Sequence, residues 1–130
     1  MSFPRKLAGD RAGSSAVEFA VAVPILMSFI WGIFQVAILY RANAGMQHAL
    51  GEAARYATIF PTPSDTALQD KITSHKFGLD GGTWSTPSIT TDTTAKTKLI
   101  RVTYSQPTDF LFFPGPTVSL TRSKLVYLST

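Results

Sequence analysis

The sequence predicts an α+β fold, one long N-terminal helix followed by a small antiparallel sheet, and three observations predict it. An uncharged apolar run, Phe19–Tyr40, follows a short basic start. Small and apolar residues then recur at helical spacing as far as Pro61. From Trp84 onward the hydrophobic period shortens to two, the signature of strands.

The apolar run comes first. About 22 residues at about 1.5 Å each cover about 33 Å, enough to cross a hydrocarbon core of about 30 Å. Arg5, Lys6 and Arg11 precede the run, while Arg41 and Arg55 follow it, a weak positive-inside bias that places the N-terminus in the cytoplasm and the C-terminal domain outside. Tyr40 and Arg41 fit an interfacial belt, whereas Trp31, in mid-run, reads as a packing residue. Pro24 removes the hydrogen bond to the Ala20 carbonyl and loosens one turn. Ser28, one turn on, is too distal to be an obvious partner for that freed oxygen.

Helical periodicity continues past the membrane edge through Ala42, Met46, Ala49, Leu50, Ala53, Ala54 and Ala57. A helix from Ser15 to about Ile59 would be roughly 68 Å long, more than an anchor needs. Gly45, Ala49, Ala53 and Ala57 form a small-residue ridge at i, i+4, and Ser28 and Gly32 repeat the spacing inside the run. Such a ridge admits another backbone, either the chain's own sheet domain or a second subunit.

Glu18 is the one carboxylate at the entrance to the run. Burying an acid at mid-bilayer costs roughly 2.5–3.5 kcal/mol on insertion scales, and less near an interface, so it marks a functional position. One local use is a capping box, with Ser15 at the helix N-cap and Glu18 at N3.

Pro61, Pro63 and Ser64 end the long helix. Ser64 or Asp65 then caps a short helix through about Phe77, closed by Gly78, and Asp80-Gly81-Gly82 makes a turn. Ile100, Val102 and Tyr104 alternate with Arg101 and Thr103, and Val118 and Leu120 with Ser119 and Thr121, giving two strands; a weaker one runs from Ser88 to Thr94. Alternation lapses near Arg122–Lys124, which points to a bulge or a sheet edge there. Phe110-Leu111-Phe112-Phe113-Pro114 joins the two best strands and is expected to fold over one edge of the core, the alternative being an exposed patch that meets another subunit or the membrane.

Composition narrows the function. The charge of +4 arises from 12 Lys and Arg scattered against 8 Asp and Glu, with no basic stripe, so no nucleic-acid partner is expected. Without cysteine there is no disulfide. His48 and His75 lack metal-ligand spacing, and Asp65, Asp70, Asp80, Asp92 and Asp109 are dispersed. No Walker loop, dinucleotide fingerprint or nucleophile elbow occurs. The chain is expected not to be an enzyme, and no catalytic residue, metal or cofactor is assigned.

The N-terminal half resembles the TadE-like family of minor pilins or pseudopilins of tight-adherence (Flp, type IVc) pilus systems. The residues that carry the resemblance are Gly13, Ala16-Val17-Glu18-Phe19-Ala20, Pro24, Gly32, Tyr40 and Ala53-Ala54-Arg55-Tyr56-Ala57. The distal half is similar only in its pilin-like layout. The resemblance implies a basic leader of residues 1–13, removed by a prepilin peptidase between Gly13 and Ser14. It leaves a helix over 14–60 with its transmembrane segment at 19–40, and an outward-facing α+β domain over 61–130. It further implies that Glu18 sets assembly register by pairing with the new Ser14 amine of its own or a neighbouring subunit. Phe19 and Pro24 accompany it. Phe19 stands where the major pilins commonly carry Tyr, which favours the minor assignment. The implied partners are the peptidase, other pilin or pseudopilin subunits, the inner-membrane assembly platform and the membrane, with the protein passing from the bacterial inner membrane to a pilus or the cell surface. Two other fates of this N-terminus stand beside it: an uncleaved signal anchor, and signal-peptidase cleavage after Ala42-Asn43-Ala44, either of which would make the protein an envelope binding module with no filament role.

Overall fold

A computed structural model describes residues 11–128 and contains one long helix, one short helix and a four-stranded antiparallel sheet. Helix α1 runs from Arg11 to Ala57, 47 residues with Pro24 inside. Helix α2 spans Asp65–His75, and the strands are β1 (Thr83–Trp84), β2 (Ser88–Asp92), β3 (Thr97–Phe110) and β4 (Phe113–Tyr127). The predicted α+β architecture is therefore present. Arg5 and Lys6 lie outside the described residues.

Strand β3 is central. It pairs with β4 along its length on one side, and with β2 and then β1 on the other. The β3–β4 hairpin lies along the outer half of α1 and runs back against its direction. Lys98 at one end reaches Asp65 and Pro63, just beyond the C-terminus of α1, and Asp109 at the other meets Trp31 and Gln35. A 14-residue strand at about 3.3 Å per residue covers about 46 Å, close to the roughly 40 Å of helix between the level of Trp31 and that of Ala57.

The core forms where these layers meet. Ala42, Met46, Ala49, Leu50, Ala53, Ala54 and Ala57 of α1 pack with Leu68 and Ile72 of α2 and with Ile100, Val102, Tyr104 and Val126 of the sheet. Burying such side chains supplies the main favourable energy of the fold, about 25 cal/mol for each Å² removed from water. The helical face read beyond the membrane run is the face that is buried. Tyr104 is fully buried, with its hydroxyl within hydrogen-bond reach of Gln106 Oε1 and the Asp80 carbonyl. Burial pushes its phenol above the ordinary 10.0 and the Asp80 charge adds to this, against an opposing backbone hydrogen bond from Gly82.

Several boundaries differ from expectation. Helix α1 already includes Arg11, so Ser15 lies inside it and is not an N-cap; the capping box with Glu18 does not form. The real cap is at α2, where Ser64 Oγ accepts from the Ala67 amide at 3.2 Å, and α2 ends at His75 rather than Phe77. Strand β4 is an edge strand, as one reading of Arg122–Lys124 had it, but the ladder irregularity lies between Pro107 and Asp109. Arg122 faces α1, and its guanidinium donates to Asn43 Oδ1 at 2.7 Å, which explains a charged residue at an inward position. The opposite sheet face carries Ser and Thr pairs, Thr103 with Thr121 and Ser105 with Ser119, at 3.1 and 2.9 Å.

Candidate membrane and assembly surface

The apolar half of α1 stands clear of the folded domain. In its most apolar 18-residue window no residue is buried within the protein, and Val17, Phe19, Val21, Phe29 and Ile33 are each more than half exposed. This helix is long and apolar enough to cross a membrane. Its start combines an open glycine and an acid. Among the described residues nothing beyond the local helix backbone lies within 4 Å of where a Gly13 side chain would begin, and Ser14 Oγ donates to Glu18 Oε1 at 3.4 Å across one helical turn. Ser14 and Glu18 thus share one face of α1, as the i, i+4 relation requires.

Ser28 does not serve the carbonyl freed at the proline turn, as its spacing implied. Ser28 Oγ donates to the Pro24 carbonyl at 2.9 Å, the i−4 bond a serine makes inside a helix, so Ser28 serves Pro24 and not Ala20. Gly32 packs beside the Phe110 ring, the nearest approach to its absent side chain being 3.7 Å. Ile25, Ser28, Phe29, Gly32, Ile33, Val36 and Phe110 line an open groove of about 560 Å³.

The outer ridge is occupied from within. Gly45, Ala49, Ala53 and Ala57 are all buried against the chain's own domain. At Gly45 a Cβ would overlap the Phe77 carbonyl oxygen, and the following Gly78 takes a φ of +67° where the chain passes over Arg41. Close backbone approach is what the glycine permits. Of the two partners open to this ridge, its own domain fills the site.

At the hairpin tip the first of the two sequence expectations fails, and the segment is exposed as the second had it. Phe110–Pro114 does not fold over a core edge; it closes the β3–β4 hairpin beside the apolar helix. Asp109 pairs in register with Pro114, which has no amide to donate. Its carbonyl instead accepts from the Trp31 indole at 2.7 Å and from the Gln35 amide at 2.9 Å. Gln35 is only 8% exposed, a polar side chain taken up by that contact. The signal available in sequence was a Trp and a Gln four residues apart in an otherwise apolar run.

Residues 13–55 match the family model for TadE-like protein. No curated protein and no solved structure matches the chain. The TadE-like segment opens at Gly13 and closes two residues before the end of α1, so it contains Glu18, Phe19, Pro24, Ser28, Gly32, Gly45, Ala49 and Ala53. The sheet domain lies outside the match. The histidines, which lack metal-ligand spacing in sequence, come together: the His48 ring centre lies 6.4 Å from that of His75 and 5.6 Å from that of Phe77. Among the described residues no group of three or more His, Cys, Asp or Glu is placed to hold a metal ion.

Proposed function

We propose that this protein is a minor pilin or pseudopilin of a Tad-type pilus system, trimmed by a prepilin peptidase after Gly13 and incorporated into a pilus or its initiating tip complex by helix packing. The observation that carries the reading is a TadE-like match that begins at Gly13 and continues into an apolar helix whose inner half stands free of the folded domain. Since the outer ridge is spent inside the molecule, contacts with neighbouring subunits fall to the inner half of α1 and to the outer surface of the domain. The protein acts as the peptidase's substrate, and we assign it no catalysis of its own. It is held in the inner membrane with its N-terminus cytoplasmic, before transfer to a pilus or the cell surface.

Scission after Gly13 would create an amine one helical turn from Glu18, on the same helical face. A carboxylate and an ammonium placed in an apolar assembly offset each other's desolvation when they meet, and a misregistered subunit leaves both unpaired. Glu18→Ala is expected to insert and be cleaved normally yet fail to enter filaments. Sheared pili and membrane fractions, compared by immunoblot, read this directly, and normal incorporation of the variant would remove Glu18 from the assembly role.

The deciding test is the mature N-terminus, read by intact mass on protein extracted from the native membrane. A start at Ser14 is expected. A start at Gly45 or an intact leader would replace the pilin reading with a secreted or anchored binding module. Cleavage at Gly45 is disfavoured on structural grounds, because it would remove Ala42 from the core together with the bonds from Trp31, Gln35 and Asn43 to the hairpin.

A further inference from the structure

We propose that the tip of the β3–β4 hairpin is a lipid-seated wedge: Leu111, Phe112 and Phe113 enter the outer edge of the hydrocarbon beside their own helix, with Asp109 at headgroup level. The inference rests on the reading of α1 as a membrane span and adds a second point of insertion to it.

The argument begins from level. Asp109 is fixed to Trp31 and Gln35, and the Phe110 ring to Gly32, so the tip lies alongside the lower, N-terminal part of the apolar run and points toward Ile25. If the hydrocarbon extended to Tyr40, Asp109 would sit about 10 Å inside it. Its carboxylate is exposed and among the described residues has no ion-pair partner in the protein, so that placement would strand a charge in lipid. Shifting the span toward the N-terminus removes the conflict. Ala16–Phe34 is about 28 Å of helix, close to a full hydrocarbon thickness. Trp31 then falls in the aromatic belt, and Gln35–Tyr40 occupies the headgroup layer. Glu18 falls about 3 Å inside the opposite boundary, where a carboxylate can reach water.

Lipid, and not water, is the matching occupant of the tip. Leu111, Phe112 and Phe113 are 49%, 64% and 58% exposed, and no charged residue lies between Asp109 and Arg122. The patch is continuous with the exposed apolar surface of α1 through the groove shared by Phe110, Ile25 and Phe29. Whatever covers the helix at that level covers the tip.

The test uses the absence of cysteine in the chain. Single-cysteine variants of the full-length protein, labelled with a polarity-sensitive fluorophore, are reconstituted into phosphatidylcholine–phosphatidylglycerol vesicles carrying spin-labelled lipids. Phe112→Cys is expected to emit at short wavelength and to lose most of its emission to a quencher near the headgroups. Met27→Cys should be quenched most strongly by one near the chain ends, and Thr121→Cys, on the polar sheet face, by neither. If Met27→Cys is quenched while Phe112→Cys matches Thr121→Cys, the wedge is refuted and the span stands. A Phe112→Cys probe that is shifted and shielded from aqueous iodide but not reached by lipid quenchers would assign the tip to a second copy of the chain and overturn the proposal. An unquenched Met27→Cys would overturn the membrane span and the wedge with it.

Discussion

Gly45→Ala is expected to destabilise the folded domain, while Gly51→Ala, six residues along the same helix, is expected to stabilise it. Each substitution gains the helical preference of alanine over glycine, about 1 kcal/mol. At Gly51 that gain is unopposed, since nothing lies within 4 Å of the added carbon. At Gly45 the carbon meets the carbonyl oxygen, carbonyl carbon and nitrogen of Phe77, all backbone atoms that cannot swing aside as a side-chain end would. Relief requires the segment between α2 and the Asp80 turn to lift, which would disturb Gly78 over Arg41 and loosen the seating of Leu68 and Ile72. Overpacking of this kind typically costs about 1–3 kcal/mol, so larger side chains extend the effect, and Gly45→Val should lower the melting temperature by about 10 °C or more. Thermal unfolding of the full chain in detergent, followed by near-ultraviolet circular dichroism, measures the pair. If both alanine variants melt higher than the parent, the close passage of Phe77 over α1 is wrong.

The same helix shows what sequence makes legible. Regular spacing of small and apolar residues from Ala42 to Ala57 disclosed a buried face because helical geometry alone decides which positions share a side. It did not disclose the partner. A ridge built for close approach reads identically whether a neighbouring subunit or the backbone of Phe77 lies against it. Strand β3 was legible only where inward positions are apolar, at Ile100, Val102 and Tyr104. It extends beyond them because Lys98, Gln106 and Thr108 also face inward, and β4 likewise continues through Arg122, each polar side chain having a specific partner that period-two reading cannot supply. At the tip the run Phe110–Phe113 looked like core because it is apolar, and its position is set by long-range bonds to Trp31 and Gln35. Glu18 illustrates the converse: a local pattern with Ser15 suited a helix start, but the helix already runs through Arg11 and the pattern has nothing to cap.

The candidate site divides along similar lines. The family signal, Gly13 through Arg55, lies wholly within α1, the helix long and apolar enough to cross a membrane. The distal domain has no matching relative, yet it determines which part of the helix remains available. By covering Gln35–Ala57 on one face it restricts contacts through that face and leaves the inner half of the helix exposed. The hairpin is fastened at both ends, at Asp109 by Trp31 and Gln35 and at Lys98 by Asp65.

The far fastening yields the second large effect. Lys98 Nζ lies 2.5 Å from Asp65 Oδ1, with the lysine side chain 8% exposed and the aspartate 51%. The burden of burial therefore falls on one partner. Asp65→Asn leaves the largely buried ammonium without a counter-charge, its acceptors now the neutral asparagine amide oxygen and the Pro63 carbonyl at 3.4 Å. Removing the counter-charge of a buried ammonium is expected to cost about 2 kcal/mol, and the change also removes an acid from the first turn of α2. Lys98→Met removes the buried charge together with its partner's obligation, since Asp65 can turn to water. That variant should cost less than about 1 kcal/mol, as replacement of a buried ion by a side chain of similar volume often does. The double variant Lys98→Met, Asp65→Asn should then match the single lysine variant, because the asparagine no longer strands a charge. Melting temperatures of the three variants in the same detergent give the comparison. Equal losses in the two single variants would mean that the pair is a surface contact and that the hairpin is secured by apolar packing alone.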